Sequence, residues 1–400
     1  MQAIQELYKI GRGPSSSHTL APERACRLFT EVNGSFPFYK AELFGSLSYT
    51  GRGHCTDQII KESLPGHCEV VFCNNWHEEF PNGFYLKAYD DKMNRIAKWT
   101  IFSLGGGTIQ IKEYPVSYNK EVYVEKNFKE IKDVLKARNI SLTDYIYGYE
   151  PNLKEYLITV LDAMLDCVGN GLHADGVLPG KLKMERAAAK LYKQSLDISV
   201  AERNELRLMA YAHAAGEENA SSHTCVTAPT LGACGVMTAL MYYCRNDLAV
   251  EKERLADALA VGGLFGNVIK QNATISGAVG GCQAEVGAAV SMAAAAYAYL
   301  MDLDTDQIEY AAEIGMEHHL GLTCDPVMGY VMIPCIERNA VGVLRAIDAA
   351  ILAKYMSRVR QHLVSCDMVV ETMNETGKRI PIELKETAEG GLAKEFEDAA

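Results

Sequence analysis

Hydrophobic and polar positions alternate along much of the first third of the chain. The alternation is strongest in four segments, Tyr39–Leu47, Glu69–Cys73, Phe84–Tyr89 and Ile96–Phe102. A period of two residues is typical of half-buried β-strands. Helical spacing appears between them, at Leu20–Val32 and His54–Leu64. We therefore predict an N-terminal α/β domain over residues 1–150.

Beyond residue 150 the pattern changes to the helical period of about 3.6 residues. Alanine becomes frequent and strand signals almost disappear. Helices are predicted near residues 152–169, 181–194, 203–216, 232–245, 250–265, 283–301, 305–316, 338–357 and 363–376. The pattern therefore predicts an all-helical domain over residues 151–400, packed on the first domain in an α+β fold.

Composition and charge exclude some classes of protein. The net charge of −12 argues against a nucleic-acid partner, which needs a basic surface. The longest run of small apolar residues, Val286–Met301, is shorter than the roughly 20 residues of a membrane span, so no membrane association is expected. The opening MQAIQELYKIGRG lacks an apolar signal core, and the twelve cysteines are therefore expected to be free thiols in a reducing cytoplasm.

Three cysteines stand beside glycine or proline with the spacing C-x41-C-x10-C, at Cys282, Cys324 and Cys335. Cys335 follows a proline and begins a predicted helix, where partial positive charge favours the thiolate. Three thiolates make an iron–sulfur ligand set that is one short of the usual four. The spacing matches no short metal motif, and three inert buried thiols are the alternative.

Two motifs in the first domain place hydroxyls and histidines at predicted helix starts. The first, GRGPSSSHT, spans Gly11–Thr19 and is suited to bind an anion such as a substrate carboxylate. Its serines could equally be helix caps. The second, FGSLSYTGRGHCTD, spans Phe44–Asp57 and brings His54 to a helix start, where an imidazole can transfer protons. A half-buried structural histidine is the alternative there.

Three further segments carry candidate residues in the helical domain. GNVIKQNATIS places Lys270 and Asn272 shortly before Cys282. A lysine raises the possibility of a pyridoxal-phosphate Schiff base, although no glycine-rich phosphate loop lies nearby. Thr230 follows the polar segment EENASSHTCVTAP. Glu317-His318-His319 precedes Cys324, and at most one of these adjacent histidines is expected to face a site.

These motifs resemble the iron–sulfur-dependent L-serine dehydratases (L-serine ammonia-lyases) in their single-chain form. The resemblance is carried by GPSSSHT, GSLSYTGRGHCTD, GAVGGCQAEVG, EHHLGLTCDPV and PCIERNA, and by the C-terminal ETMNETG and KETAEGGLA, which look like a segment closing over the site. It implies a [4Fe-4S] cluster bound by Cys282, Cys324 and Cys335. It also implies conversion of L-serine to pyruvate and ammonia, a reaction of amino-acid degradation and gluconeogenesis, in a cytoplasmic homodimer.

The resemblance also implies residue roles. Substrate contacts are expected from Ser15, Ser16, Ser17, Ser46, Thr230, Lys270 and Asn272. The catalytic candidates are His18, His54 and His319, and the general base is not assigned among them.

Two departures from the family pattern keep other functions open. Relatives usually carry Asn or Cys at the position of Leu231 and Gln at that of Met332. Loss of these polar groups favours a more apolar pocket, so β-elimination on L-threonine or L-cysteine is an alternative. A cluster-bearing sensor without turnover is another.

Overall fold

A five-stranded sheet forms the centre of the N-terminal part in the computed structural model, which describes residues 1–116 and 120–399. The strands of the described residues are β1 (Ile10–Arg12), β2 (Phe38–Gly45), β3 (His67–Phe72), β4 (Asn82–Tyr89), β5 (Arg95–Gly105), β6 (Thr108–Ile111) and β7 (Thr224–Val226). The sheet has the order β3-β2-β4-β5-β6, in which β2 and β3 are parallel and the other neighbours antiparallel. The four predicted strands correspond to β2–β5, and the glycines after Leu104 form the β5–β6 turn.

Short helices cover one face of this sheet: α1 (Ala21–Asn33), α2 (Ser46–Tyr49) and α3 (Thr56–Ser63). Helix α1 buries Ala25, Cys26 and Phe29, which recur at helical spacing along one side. The Phe29 ring meets the edge of Trp99 in β5, with ring centroids 4.9 Å apart. One turn of π-helix, Ser16–Leu20, precedes α1 directly.

The helical part contains α4 (Phe128–Arg138), α5 (Leu142–Tyr149), α6 (Leu153–His173), α7 (Ala188–Gln194), α8 (Val200–Ala220), α9 (Cys234–Asn246), α10 (Lys252–Asn272), α11 (Gly277–Gly280), α12 (Val286–Leu300), α13 (Thr305–Glu317), α14 (Cys335–Met356), α15 (Cys366–Arg379) and α16 (Gly391–Ala399). Alanine-rich α12 is buried on nearly all sides, because small side chains allow α10, α13 and α14 to approach it closely. The α+β class is confirmed. The helix predicted over 181–194 begins only at Ala188, since residues 181–182 form a turn and Glu185 bridges to Val177.

Several residues before position 150 pack with the helices rather than with the sheet. The domain boundary at residue 150 stays a prediction. Ile4 and Tyr8 pack in the helical core, as do Phe128 of α4 and Tyr145 of α5. The Tyr8 hydroxyl donates to the Leu259 carbonyl of α10 at 2.9 Å. Among the described residues, no helix is long and apolar enough to cross a membrane.

A two-stranded ribbon joins the two parts and fixes the serine motif. Strand β1 pairs antiparallel with β7, with Gly11 opposite Cys225. Immediately after β1, the Asn219 side chain donates to the Pro14 carbonyl at 2.7 Å. A Cβ atom on Gly13 would lie 2.0 Å from the Asn219 carbonyl oxygen, so only glycine fits this approach. The serine motif therefore starts from a position set by the helical part.

Candidate functional site

His18 lies buried in the π-helical turn with a defined tautomer. Its Nε2 lies 3.1 Å from the Ser46 carbonyl oxygen, which can only accept, so Nε2 carries the proton. The Thr50 hydroxyl, 2.9 Å from the same nitrogen, donates to the Ser46 carbonyl. Nδ1 is therefore the acceptor, 3.3 Å from the Ser15 hydroxyl. Burial keeps the pKa of His18 well below its usual value, so the ring is neutral.

His54 stacks on His18, with ring centroids 4.2 Å apart. Its Nδ1 donates to the Thr50 carbonyl at 2.9 Å, which leaves Nε2 as the nitrogen with a lone pair. Burial lowers the pKa of His54 to about 4, so this ring is also neutral near pH 7. The two rings offer acceptor nitrogens of opposite type, Nδ1 in His18 and Nε2 in His54.

Glu386, in the segment between α15 and α16, links the histidines to the cysteine region. Its Oε1 lies 3.6 Å from His18 Nδ1, and its Oε2 accepts from the Ser46 hydroxyl at 3.0 Å. Its backbone N–H donates to the Cys324 carbonyl at 2.6 Å, and the Cys324 N–H donates to Leu384 at 2.8 Å. Burial raises the pKa of the Glu386 carboxyl to about 7. The C-terminal segment thus forms one wall between the two groups.

Cys282, Cys324 and Glu285 form the second group, with ligand atoms that all lie within 4.8 Å of one another. Hydrogen bonding with the Cys324 thiol, assisted by the Arg338 guanidinium, lowers the pKa of Cys282 although burial opposes it. Burial raises the pKa of Glu285 to about 8. The group therefore offers two sulfur atoms and one oxygen atom as metal ligands, with the Arg338 guanidinium beside them.

Cys335 completes the trio at the first turn of α14 and is partly buried. Burial raises the pKa of its thiol well above the usual value, and the nearby Cys282 and Glu285 raise it further. Two buried hydroxyls border the region, those of Thr230 and Ser276, and neither has a hydrogen-bond partner of ordinary length among the described residues. Each of the twelve cysteines, all within the described ranges, is a free thiol.

Comparison with known proteins identifies the family of this chain. The model of the serine dehydratase alpha chain matches residues 85–393, and that of the serine dehydratase beta chain matches residues 3–72. The chain belongs to the serine dehydratase family. It is 35% identical to the L-serine dehydratase of Streptomyces coelicolor, with 98% of each chain covered. It is 36% identical to L-serine dehydratase 1 of Escherichia coli, over 98% of this chain and 99% of that protein.

Other predicted substrate contacts lie at the junction where the histidine pair, Glu386 and the thiols meet. The Ser16 hydroxyl accepts from the Leu231 N–H at 3.5 Å, and the Ser17 carbonyl accepts from the Ser103 hydroxyl at 3.1 Å. Thr230 lies near enough to Glu285 to influence its pKa. Ser15 and Ser46 contact His18 directly, as described above. Their roles toward a substrate stay predictions.

Three predicted site residues have described contacts elsewhere. His319 donates from Nδ1 to the Gly315 carbonyl at 2.7 Å, one turn back in its own helical segment. Lys270 donates to the Thr108 hydroxyl at 3.0 Å. Asn272 is exposed and donates to the Lys126 carbonyl at 2.7 Å. The described contacts do not bring these side chains together with the thiols or the histidine pair.

Four residues of the junction were not predicted as site residues: Thr50, Glu285, Arg338 and Glu386. All four stand inside motifs quoted for the family resemblance, as in QAEVG, KETAEGGLA and PCIERNA. The family motifs were therefore the sequence signal that could have pointed to these residues. No sequence spacing marks an acidic side chain that is buried beside a cysteine or histidine only in the folded protein.

Proposed function

We propose that this chain is an L-serine dehydratase, a lyase that converts L-serine to pyruvate and ammonia. Its family and the names of its relatives support that activity. The observation that carries the proposal to particular residues is the junction, where two buried histidines and three free thiols surround Glu386.

Cys282, Cys324 and Cys335 fit a [4Fe-4S] cluster as its ligands. Thiolates are the usual protein ligands of such clusters, and Arg338 provides a positive charge beside them. These three residues would hold the cluster, which would supply Lewis-acid chemistry for the substrate hydroxyl. The carboxylate of Glu285 lies beside the thiols of Cys282 and Cys324, at the edge of the space that the substrate would occupy in this proposal.

Ser15, Ser16 and Ser17 form the carboxylate site in this proposal. The first N–H groups of a helix lack acceptors within the helix, and the helix start carries partial positive charge. The hydroxyls of all three serines are buried in or next to that first turn. Neutralising the substrate carboxylate there makes the adjacent α-proton easier to remove.

His54 takes the α-proton in this proposal. Its Nδ1 is committed to the Thr50 carbonyl, whereas its Nε2 has no hydrogen bond among the described residues. His18 has both nitrogens engaged, Nε2 with Ser46 and Thr50, and Nδ1 with Ser15. A general base must be unprotonated at working pH, and burial keeps His54 so. His18 is then the residue that positions the His54 ring by stacking.

Glu386 accepts the substrate ammonium group in this proposal. It is a buried carboxylate between the carboxylate site and the thiols, which is the span that L-serine must bridge. A buried carboxylate is stabilised when a cation pairs with it. Glu386 therefore selects amino acids over hydroxy acids of the same size.

The test uses protein purified without oxygen. Cys282→Ser, Cys324→Ser and Cys335→Ser are each expected to lose iron, sulfide, visible absorbance and pyruvate formation. Cys225→Ala and Cys234→Ala remove thiols from the helical core and are expected to keep all four. Full iron and turnover in the three serine variants would end the proposal for the cluster.

Substrate profiling tests the reaction itself. Release of pyruvate and ammonia from L-serine at a higher kcat/KM than from L-threonine or L-cysteine is expected. A loaded cluster with no turnover on any of the three amino acids would identify a sensor instead.

A further inference from the structure

Lys270 lines a cavity that is separate from the thiols and the histidine pair. The cavity has a volume of about 370 Å³ and lies between the end of α10, the β5–β6 turn and the N-terminal segment. Its wall is part polar and part apolar, with Gln2, Thr108, Asn267 and Lys270 beside Phe80, Leu104 and Ile275. A space of this size and mixed lining suits a small organic molecule.

The ammonium group of Lys270 is poorly compensated. In the described part of the chain it makes one hydrogen bond, to the neutral Thr108 hydroxyl at 3.0 Å. Burial lowers the pKa of Lys270 to about 8, because the surroundings do not stabilise its charge. An anion in the cavity would supply the missing partner.

Two more basic side chains, Lys9 and Arg24, lie near Lys270. Lys9 is only 8% exposed and lies 3.5 Å from the Glu6 carboxylate, and Lys270 is close enough to lower its pKa. Arg24 lies 3.4 Å from the same carboxylate and also donates to the Gly107 carbonyl. The Glu6 carboxylate thus lies beside Lys9 and Arg24, and it is one of the charges that act on Lys270.

We propose that this cavity binds a small carboxylate with a short apolar body, with the carboxylate paired to Lys270. Leu104 and Ile275 provide the apolar surface. The exposed Glu121 also lines the cavity and disfavours a second carboxylate on the ligand. Free monocarboxylates and α-amino acids share this chemistry, and only the amino acid has an ammonium group for Glu121.

The cavity adjoins the segment that leads to the thiols. Thr274 and Ile275 line it and immediately precede Ser276, whose buried hydroxyl has no partner among the described residues. The backbone of Ile275 is also in close contact with Gly105 of the β5–β6 turn. A ligand in the cavity therefore touches the chain just before α11 and Cys282.

The experiment is calorimetric titration of the oxygen-free, cluster-loaded protein with three probes of similar shape: isovalerate, L-valine and isovaleramide. Isovalerate, L-valine or both are expected to bind at one site, and the uncharged isovaleramide is expected not to bind. Lys270→Met should weaken binding roughly 10- to 100-fold, the loss typical of a charge-assisted hydrogen bond. Lys270→Arg should keep part of the affinity. Equal binding of the amide, or no binding of any probe, would overturn the proposal.

Matched variants locate the ligand. Lys252→Met removes a lysine at the exposed start of the same helix and should leave affinity unchanged. If Ser16→Ala abolishes binding and Lys270→Met does not, the probe occupies the substrate site and the proposal fails. If Lys270→Met does not fold, Thr108→Val replaces it as the test. Removal of the hydroxyl beside Lys270 should weaken binding severalfold, and an unchanged affinity would refute the site. The binding site is independent of the dehydration proposal, which stands or falls on the cysteine variants.

Discussion

Replacement of His54 by asparagine separates the proposed catalytic role of this residue from its structural one. Asparagine keeps an amide N–H near the position of Nδ1, so the hydrogen bond to the Thr50 carbonyl can persist. The acceptor nitrogen Nε2 disappears. The variant therefore removes the proposed base while it retains the local hydrogen bond.

The catalytic loss should far exceed the structural loss. The stack on His18, with centroids 4.2 Å apart, is worth about 0.5–1.5 kcal/mol. A positioned general base contributes about 100- to 10,000-fold in rate, or about 3–5 kcal/mol. We expect kcat for L-serine to fall by that factor and KM to change little, because the serine turn that is proposed to bind the carboxylate is unaltered.

The assay compares pyruvate formation by variants matched for iron content, with L-serine and with L-serine deuterated at the α-carbon. The deuterium effect on kcat should grow in His54→Asn, since proton removal becomes the slow step. His173→Asn is the matched control, because His173 is exposed and its Nδ1 makes the same bond one turn back, to the Gly169 carbonyl at 2.7 Å. It should retain full activity, and His319→Asn should lose less than about threefold. A His54→Asn enzyme within tenfold of normal kcat, with its cluster intact, would refute the assignment and favour Nδ1 of His18.

Other predictions concern packing and pH. Gly13→Ala should lower the free energy of unfolding by about 1–3 kcal/mol in denaturant titration, because its Cβ would lie 2.0 Å from the Asn219 carbonyl. Gly169→Ala, in open space on α6, should instead stabilise by about 0.5–1 kcal/mol. Burial raises the pKa of Glu313 from 4.5 to about 7, so between these pH values the folded protein holds a proton that the unfolded chain has released, and stability should fall as pH rises through that range. Glu313→Gln should flatten that slope, and an unchanged slope would contradict this. Met332→Gln buries an amide in a small apolar cluster and should cost about 1–3 kcal/mol without changing the ratio of kcat/KM for L-serine and L-threonine, whereas a changed ratio would place Met332 at the substrate.

The sheet was predictable because alternation is a local signal. Each of β2–β5 carries its own buried and exposed pattern. The β1–β7 ribbon was not predictable, since each strand has three residues and the two lie far apart in the chain. Helices α4 and α5 did carry local signals: an Asn127 cap and a capping box between Ser141 and Asp144. The sequence prediction omits these two helices because the strand pattern dominates residues 1–150.

The candidate site shows where nearness in sequence misleads. Lys270 and Asn272 precede Cys282 closely in the chain, yet α10 ends between them and the thiols. Asn272 is exposed there, and Lys270 turns to the β6 residue Thr108. Glu386, far along the chain from the serine motif, lies against His18. Only the tertiary fold determines these distances.

The junction is built at a cost that a bound substrate and cluster would remove. Glu285 and Glu386 are buried carboxyl groups whose pKa values burial raises, and the buried hydroxyl of Ser276 has no hydrogen-bond partner among the described residues. Each unsatisfied buried polar group costs about 1–3 kcal/mol. Such a concentration is unfavourable for folding alone, and such groups gather at binding sites, where a ligand satisfies them. Under the proposed function, the ammonium group of L-serine would pair with Glu386, and the substrate hydroxyl would offer a further hydrogen-bond partner at the junction.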